Sequence, residues 1–140
     1  MTITLIIALF CFRLSAPPNS SMIIFESESV NPYESIWKAV CSIESSNNPL
    51  AYHMEDNGFA SIGIAQVQES RVSDFNRRFR HSFTLMDMYQ PKYAKIVFMA
   101  YASEFMPNDN ESISRCWNGG KNGMSKKSTL KYYAKIKKLM

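Results

Sequence analysis

Apolar residues in this chain recur mainly at helical spacing. Asn31-Pro32-Tyr33-Glu34 reads as a helix start, because Asn31 can cap, Pro32 suits the first helical position and Glu34 can close a capping box. Ile36, Trp37, Val40, Cys41 and Ile43 then form an apolar stripe. Glu44 lies four residues after Val40 and three after Cys41, so it shares their face. Asn47, Asn48 and Pro49 stop this helix, which is predicted over Pro32 to Ser46. Leu50 to Ser61 is rich in turn formers, with Glu55-Asp56-Asn57-Gly58 the clearest signal, and predicts a short hairpin or an irregular loop.

Beyond it, Ile64 to Arg80 predicts one or two helices with Val67, Val72, Phe75 and Phe79 inward. Lys92 to Phe105 follows Pro91 as an amphipathic helix, with Ala94, Ile96, Val97, Ala100, Tyr101 and Phe105 as core candidates. Pro107-Asn108-Asp109-Asn110 breaks it. A short helix from Glu111 to Trp117 is expected under an Asn110 cap, then a loop from Gly119 to Gly123, then a last helix from a Ser128 cap through Leu139. The predicted class is α+β, predominantly helical, with at most a small β-hairpin. There is no internal repeat.

Composition narrows the picture. With 140 residues, 46% hydrophobic and 20% charged, the chain can bury one real core, and five Gly and six Pro argue against disorder. The formal charge is +4, and seven of the 16 Lys and Arg residues follow Gly120. They read as a solvated helix face that also steers the protein toward an anionic polymer. No basic stripe interleaved with aromatics marks a nucleic-acid binder. Ile3 to Phe12 is an apolar run followed by the small residues Ser15 and Ala16, which predicts a signal peptide over 1–16. A linker over 17–30 and one domain over 31–140 follow, in a monomer exported to the periplasm or beyond. Cys11 would leave with the signal. Cys41 and Cys116 can pair in an oxidising compartment, but each sits in an apolar context that favours a buried thiol. Neither His nor Cys has metal-ligand spacing, so no metal or cofactor is expected.

The candidate chemistry centres on Glu44. A carboxyl near a helix C-terminus feels the negative end of the helix dipole, and apolar neighbours such as Trp37, Val40 and Cys41 disfavour its ionisation. Both effects raise its pKa, as a general acid near neutral pH requires. Taken alone, Glu44 reads first as a solvated residue at a fraying helix end.

Its surroundings add more. Glu44-Ser45, then Pro49 and Ala51, then Gly63, Ile64, Gln66 and Val67, then Trp117, Asn118 and Gly120, and finally Thr129 and Tyr132 occur in order along the chain. This series resembles the lytic transglycosylases of the soluble (SLT) type, in the lysozyme-like superfamily. The likeness runs from about Ile36 to the C-terminus. Ala65 stands where that family has Met, Trp117 where it has Tyr, and the stretch between Ala51 and Gly63 is longer than usual. Glu55-Asp56 with Asp74-Phe75-Asn76 resembles a small single-domain branch.

The resemblance implies a lysozyme-like fold and cleavage of peptidoglycan between N-acetylmuramic acid and N-acetylglucosamine, giving a 1,6-anhydro product. It implies one catalytic residue, Glu44, acting as acid and then as base. Ser45, Gln66, Trp117, Asn118 and Tyr132 are the implied substrate-binding set. Each has a plainer reading: Ser45 as a helix cap, Gln66 and Asn118 as turn residues, Trp117 and Tyr132 as core. Tyr132 could also aim its hydroxyl at Glu44 and tune it, with neighbouring Tyr133 a rival for that role. Two rival activities remain. A hydrolytic muramidase would need a second carboxylate, with Glu55 or Asp56 the candidates. An inactive wall-binding module would not need Glu44. The glycan strands are the expected partner, with a secretion, conjugation or phage machine as a further one.

Overall fold

In the computed structural model, residues 31–55 and 58–140 are described. The signal peptide and linker expected before residue 31, and Asp56, lie outside them. The described residues form an α+β structure, mostly helical, with one small antiparallel sheet.

Helix α1 (Glu34–Ser45) runs through the core on the side that carries Ile36, Trp37, Ala39, Val40 and Cys41, all buried. Its start differs from expectation. The Asn31 side chain accepts from the Tyr33 N–H at 3.0 Å, and the Glu34 carboxylate pairs with Lys95 at 2.7 Å, so no Asn31–Glu34 capping box forms. The end of the helix is tightly built. Ser46 and Asn47 both adopt left-handed backbone, and their N–H groups bond Ser42 and Cys41 carbonyls at 3.0 and 3.1 Å. That arrangement satisfies carbonyls the helix would otherwise leave open, and it fixes where Glu44 points.

Strands β1 (Tyr52–Met54), β2 (Ala60–Ile62) and β3 (Val67–Gln68) follow, in the order β1-β2-β3, with Tyr52 opposite Ile62 and Ile62 opposite Val67. Of the hairpin or irregular loop expected, the hairpin forms, and β3 adds a third strand beyond the one hairpin predicted at most. The helix expected from Ile64 does not form: Gly63 to Gln66 is a turn, and α2 covers only Glu69–Phe79. Gly63 has φ +75°, and a Cβ there would overlap the Met88 carbonyl oxygen. Such a residue turns the chain back into β3 where a helix could not start. Val67, Val72 and Phe75 are buried as expected, but Phe79 is 42% exposed at the helix end.

A 3-10 helix (Leu85–Tyr89), closed by a Thr84–Asp87 capping box, leads into α3 (Pro91–Ala102). The buried face of α3 is Ala94, Val97, Phe98 and Ala102; Ile96 is 44% exposed and belongs to the outer face. The spacing of three and four residues places 94, 97–98 and 102 in one stripe, and 96 falls outside it. Helix α4 (Asn110–Gly119) is capped by Asp109, which accepts from the Ser112 N–H at 3.1 Å, and not by Asn110. The loop expected after it is a second 3-10 helix (Gly120–Ser125). Helix α5 (Ser128–Lys137) makes no side-chain cap, and Ser128 is its first residue. Both Cys41 and Cys116 are free thiols; Cys41 is buried and Cys116 partly exposed. Burial pushes the Cys41 thiol up to about 12, which leaves it unreactive.

Candidate active site

A groove of about 1290 Å³ is lined in part by Glu44. One wall comes from the hairpin and α2, through Tyr52, His53, Glu55, Gln68 and Arg71. The other comes from α3, α4 and the following 3-10 helix, through Tyr101, Trp117, Asn118 and Lys121. Gln66 also lines it.

Glu44 stands at the C-terminal end of α1, partly exposed toward the groove and enclosed elsewhere. Tyr132 on α5 donates its hydroxyl to Glu44 Oε1 at 2.7 Å. Burial raises the Glu44 carboxyl to about 6; the Tyr132 hydrogen bond and the Arg71 charge pull it down, and the Glu55 charge pushes it further up. Desolvation therefore wins over the stabilising contacts, and the carboxyl is protonated for part of the time near neutral pH. The Tyr132 phenol is pushed above its usual range, first by burial and then by the Glu44 charge, so it remains a donor. These two groups are brought together across 88 residues of chain.

The other expected residues divide. Asn118 is exposed in the groove wall, and its side chain has no protein partner among the described residues. Gln66 sits at φ +49°, with its amide nitrogen donating to the Gly63 carbonyl at 3.0 Å. Its side-chain oxygen accepts no hydrogen bond among the described residues. Left-handed backbone at a non-glycine residue costs about 1–3 kcal/mol and tends to occur at functional sites. Ser45 does not line the groove. Its hydroxyl is directed to the Ile64 carbonyl at 2.8 Å, with the Cys41 carbonyl at 3.2 Å, which ties the end of α1 to the Gly63–Gln66 turn. Tyr132 is also absent from the walls, so it acts through Glu44. Trp117 lines the groove but is only 7% exposed. The Phe98 edge packs on its ring at 5.0 Å, and the Arg71 guanidinium lies over it at 4.2 Å, so that face is closed to a sugar.

Two residues, Arg71 and Arg115, escaped the sequence; Glu55 was already a candidate second carboxylate, but its setting was not foreseen. Arg71 reaches from α2 to α4, where it lies over the Trp117 ring at 4.2 Å and donates to the Trp117 carbonyl at 2.7 Å. Glu55 accepts from the Ser61 hydroxyl at 3.1 Å, and Ser61 in turn accepts from the Gln68 amide at 3.2 Å, so a hydrogen-bonded chain crosses the small sheet to fix a second carboxylate on the groove. Finally, Arg115 is buried behind the groove loop. It donates to Thr129 Oγ1 at 3.1 Å, to Glu111 at 2.7 Å and to the Met124 carbonyl at 2.6 Å. Thr129 lies within 2.7 Å of the Gly123 and Lys126 carbonyls. This hub clamps residues 119–126 against α4 and α5. The only sequence signal for it was Thr129 in the family-like pattern.

No group of three or more His, Cys, Asp or Glu side chains that could hold a metal occurs among the described residues. No helix among them is long and apolar enough to cross a membrane. No protein-family model, curated protein or solved structure matches the chain. What the groove does must be argued from its own geometry.

Proposed function

We propose that the chain is a peptidoglycan lytic transglycosylase with a lysozyme-like fold. One observation carries the reading: the Glu44 carboxyl, raised to about 6 by burial and hydrogen-bonded by Tyr132, faces a groove of about 1290 Å³. In this reading Glu44 protonates the oxygen linking N-acetylmuramic acid to N-acetylglucosamine. The bond from C1 to that oxygen breaks, and positive charge spreads over C1 and the ring oxygen. The new Glu44 carboxylate takes the proton of the muramyl 6-hydroxyl as that oxygen bonds to C1. The electron balance closes without water, and Glu44 ends protonated as it began. Gln66 and Asn118 offer amides to the N-acetyl and hydroxyl groups of the strand. Export through the N-terminal segment, and service to a secretion, conjugation or phage machine, belong to the same proposal.

Digestion of purified peptidoglycan, with mass analysis of the fragments, tests it. The expected product carries a 1,6-anhydro muramyl end, lighter by one water than a hydrolysed end. Fragments with only reducing ends would replace this reading with a hydrolytic muramidase. Glu55 on the same groove favours that second reading, because two carboxyls flanking a glycosidic bond suit hydrolysis. Binding without cleavage would leave a wall-binding module.

A further inference from the structure

The cations along the groove differ in how they are used. Arg78 is paired with Glu104 at 2.6 Å and with Asp74 at 3.6 Å. Lys121 and Lys126 are exposed at the rim, and Lys126 donates to the Gly119 carbonyl at 2.7 Å. Arg71 is different. It is set into the wall, with no carboxylate within ion-pairing distance among the described residues and one hydrogen-bond acceptor, the Trp117 carbonyl.

Its guanidinium stands over Trp117 at 4.2 Å and over Tyr101 at 4.7 Å. Tyr101 is itself anchored, donating to Asp74 at 2.5 Å. These contacts hold the guanidinium plane, and the carbonyl takes one of its five N–H donors. No buried side-chain nitrogen or oxygen among the described residues lacks a partner, so Arg71 Nε and Nη1, which bond no protein acceptor, keep contact with solvent. Arg71 lines the groove, so that solvent is the groove's. A rigid fork with free N–H groups, desolvated behind and open in front, matches a planar carboxylate in two-point contact. Arg71 also lies near enough to Glu44 for each charge to act on the other.

We propose that Arg71 binds a carboxylate carried by the glycan, beside the bond that Glu44 cleaves, and so makes the groove specific for acidic glycan over neutral glycan of the same backbone. This rests on the wall-cleaving reading. Two sources of the carboxylate exist in such a strand: the lactyl group of a muramyl residue without its stem peptide, and the acidic residues of the stem peptide.

Binding to the Glu44→Gln protein, measured by calorimetry without turnover, tests the proposal. Three glycans of equal length serve as probes: peptide-free wall glycan with free lactyl carboxylates, wall glycan with intact stem peptides, and a neutral chitooligosaccharide. Charged glycan is expected to bind roughly 10- to 100-fold tighter than the neutral one, as a paired carboxylate is worth. Adding Arg71→Gln should erase that preference and leave chitooligosaccharide affinity in place. Preference for the peptide-free strand assigns the lactyl carboxylate; preference for the stem-bearing strand alone assigns the peptide. Equal affinity for all three overturns the Arg71 proposal only, and binding of none overturns it together with the wall-cleaving reading. A preference that survives in a folded Arg71→Gln protein also overturns it. Should that variant not fold, Arg71→Lys, which keeps the charge but loses the fork, must show a reduced preference; an unchanged one sinks the idea.

Discussion

Glu44 is held at the expense of stability. Below about pH 4.5 its carboxyl is protonated in folded and unfolded chains alike, and its burial is tolerated. Between about 4.5 and 6 the unfolded chain ionises first, so stability falls with rising pH until the folded carboxyl has ionised too. Glu44→Gln removes that penalty and keeps an acceptor for Tyr132. The variant should therefore be more stable than wild type at pH 7, by on the order of 1–2 kcal/mol given its partial exposure, and nearly equal to it at pH 4. It should lose cleavage by about 100-fold or more. Melting curves at both pH values, beside a peptidoglycan turbidity assay, check the two halves. Tyr132→Phe is a gentler probe. The phenol lowers the Glu44 pKa, so its loss should move the alkaline limb of the rate profile, which wild type should show near pH 6, to higher pH. An unmoved limb with a folded variant would mean that the 2.7 Å hydrogen bond does not tune the acid.

Elements set where these side chains stand, and here sequence reading had uneven reach. Helices α1, α3 and α5 and the hairpin follow from apolar periodicity and turn formers, which are local signals. The Glu44–Tyr132 contact was anticipated because a family-like series gave the two residues a relation that spacing alone could not. Arg71 was missed because the pattern around it marked only Val72 as inward and left its polar neighbours Glu69, Ser70 and Ser73 to read as solvated. Only its contact with Trp117, 46 residues on, gives it meaning. The Gly63 turn was misread as helix for a related reason: the obstacle to a side chain is the Met88 carbonyl, which no local pattern reveals. Gly63→Ala should cost on the order of 2 kcal/mol, since it combines left-handed backbone with overlap against main chain. It should also lower activity by displacing Gln66 three residues on, which thermal melts and assays at permissive temperature would separate. Thr129→Val tests the hub behind the loop. It leaves the buried Arg115 Nε without its 3.1 Å acceptor and should cost about 1–3 kcal/mol. A melting temperature equal to wild type would show that residues 119–126 hold their place by other contacts.

At the scale of the molecule the outcome depends on which carboxyls of the groove do chemistry: Asp74 and Glu104 are paired with Arg77 and Arg78, which leaves Glu44 and Glu55. Glu44 comes from the end of α1 and Glu55 from just beyond β1, and both line the groove. Their charges sense each other, since Glu55 contributes to raising Glu44, but their settings differ. Glu44 lies under α5 with Tyr132, where burial favours the neutral acid. Glu55 accepts from the Ser61 hydroxyl, which in turn accepts from the Gln68 amide. A hydrolase would use such a carboxylate to activate water or to attack the sugar, and its removal would then abolish turnover. A transglycosylase needs it only as part of the wall, because the muramyl 6-hydroxyl replaces water. Glu55→Gln keeps an acceptor for Ser61 and removes the charge. In the transglycosylase reading it should retain cleavage within about tenfold, leave 1,6-anhydro ends as the product, and lower the Glu44 pKa slightly by removing a like charge. The alkaline limb of the rate profile would then shift to lower pH, opposite to the shift expected for Tyr132→Phe. Abolished turnover in a folded Glu55→Gln protein, with reducing ends in the wild-type digest, would instead make Glu55 the second catalytic carboxylate of a muramidase.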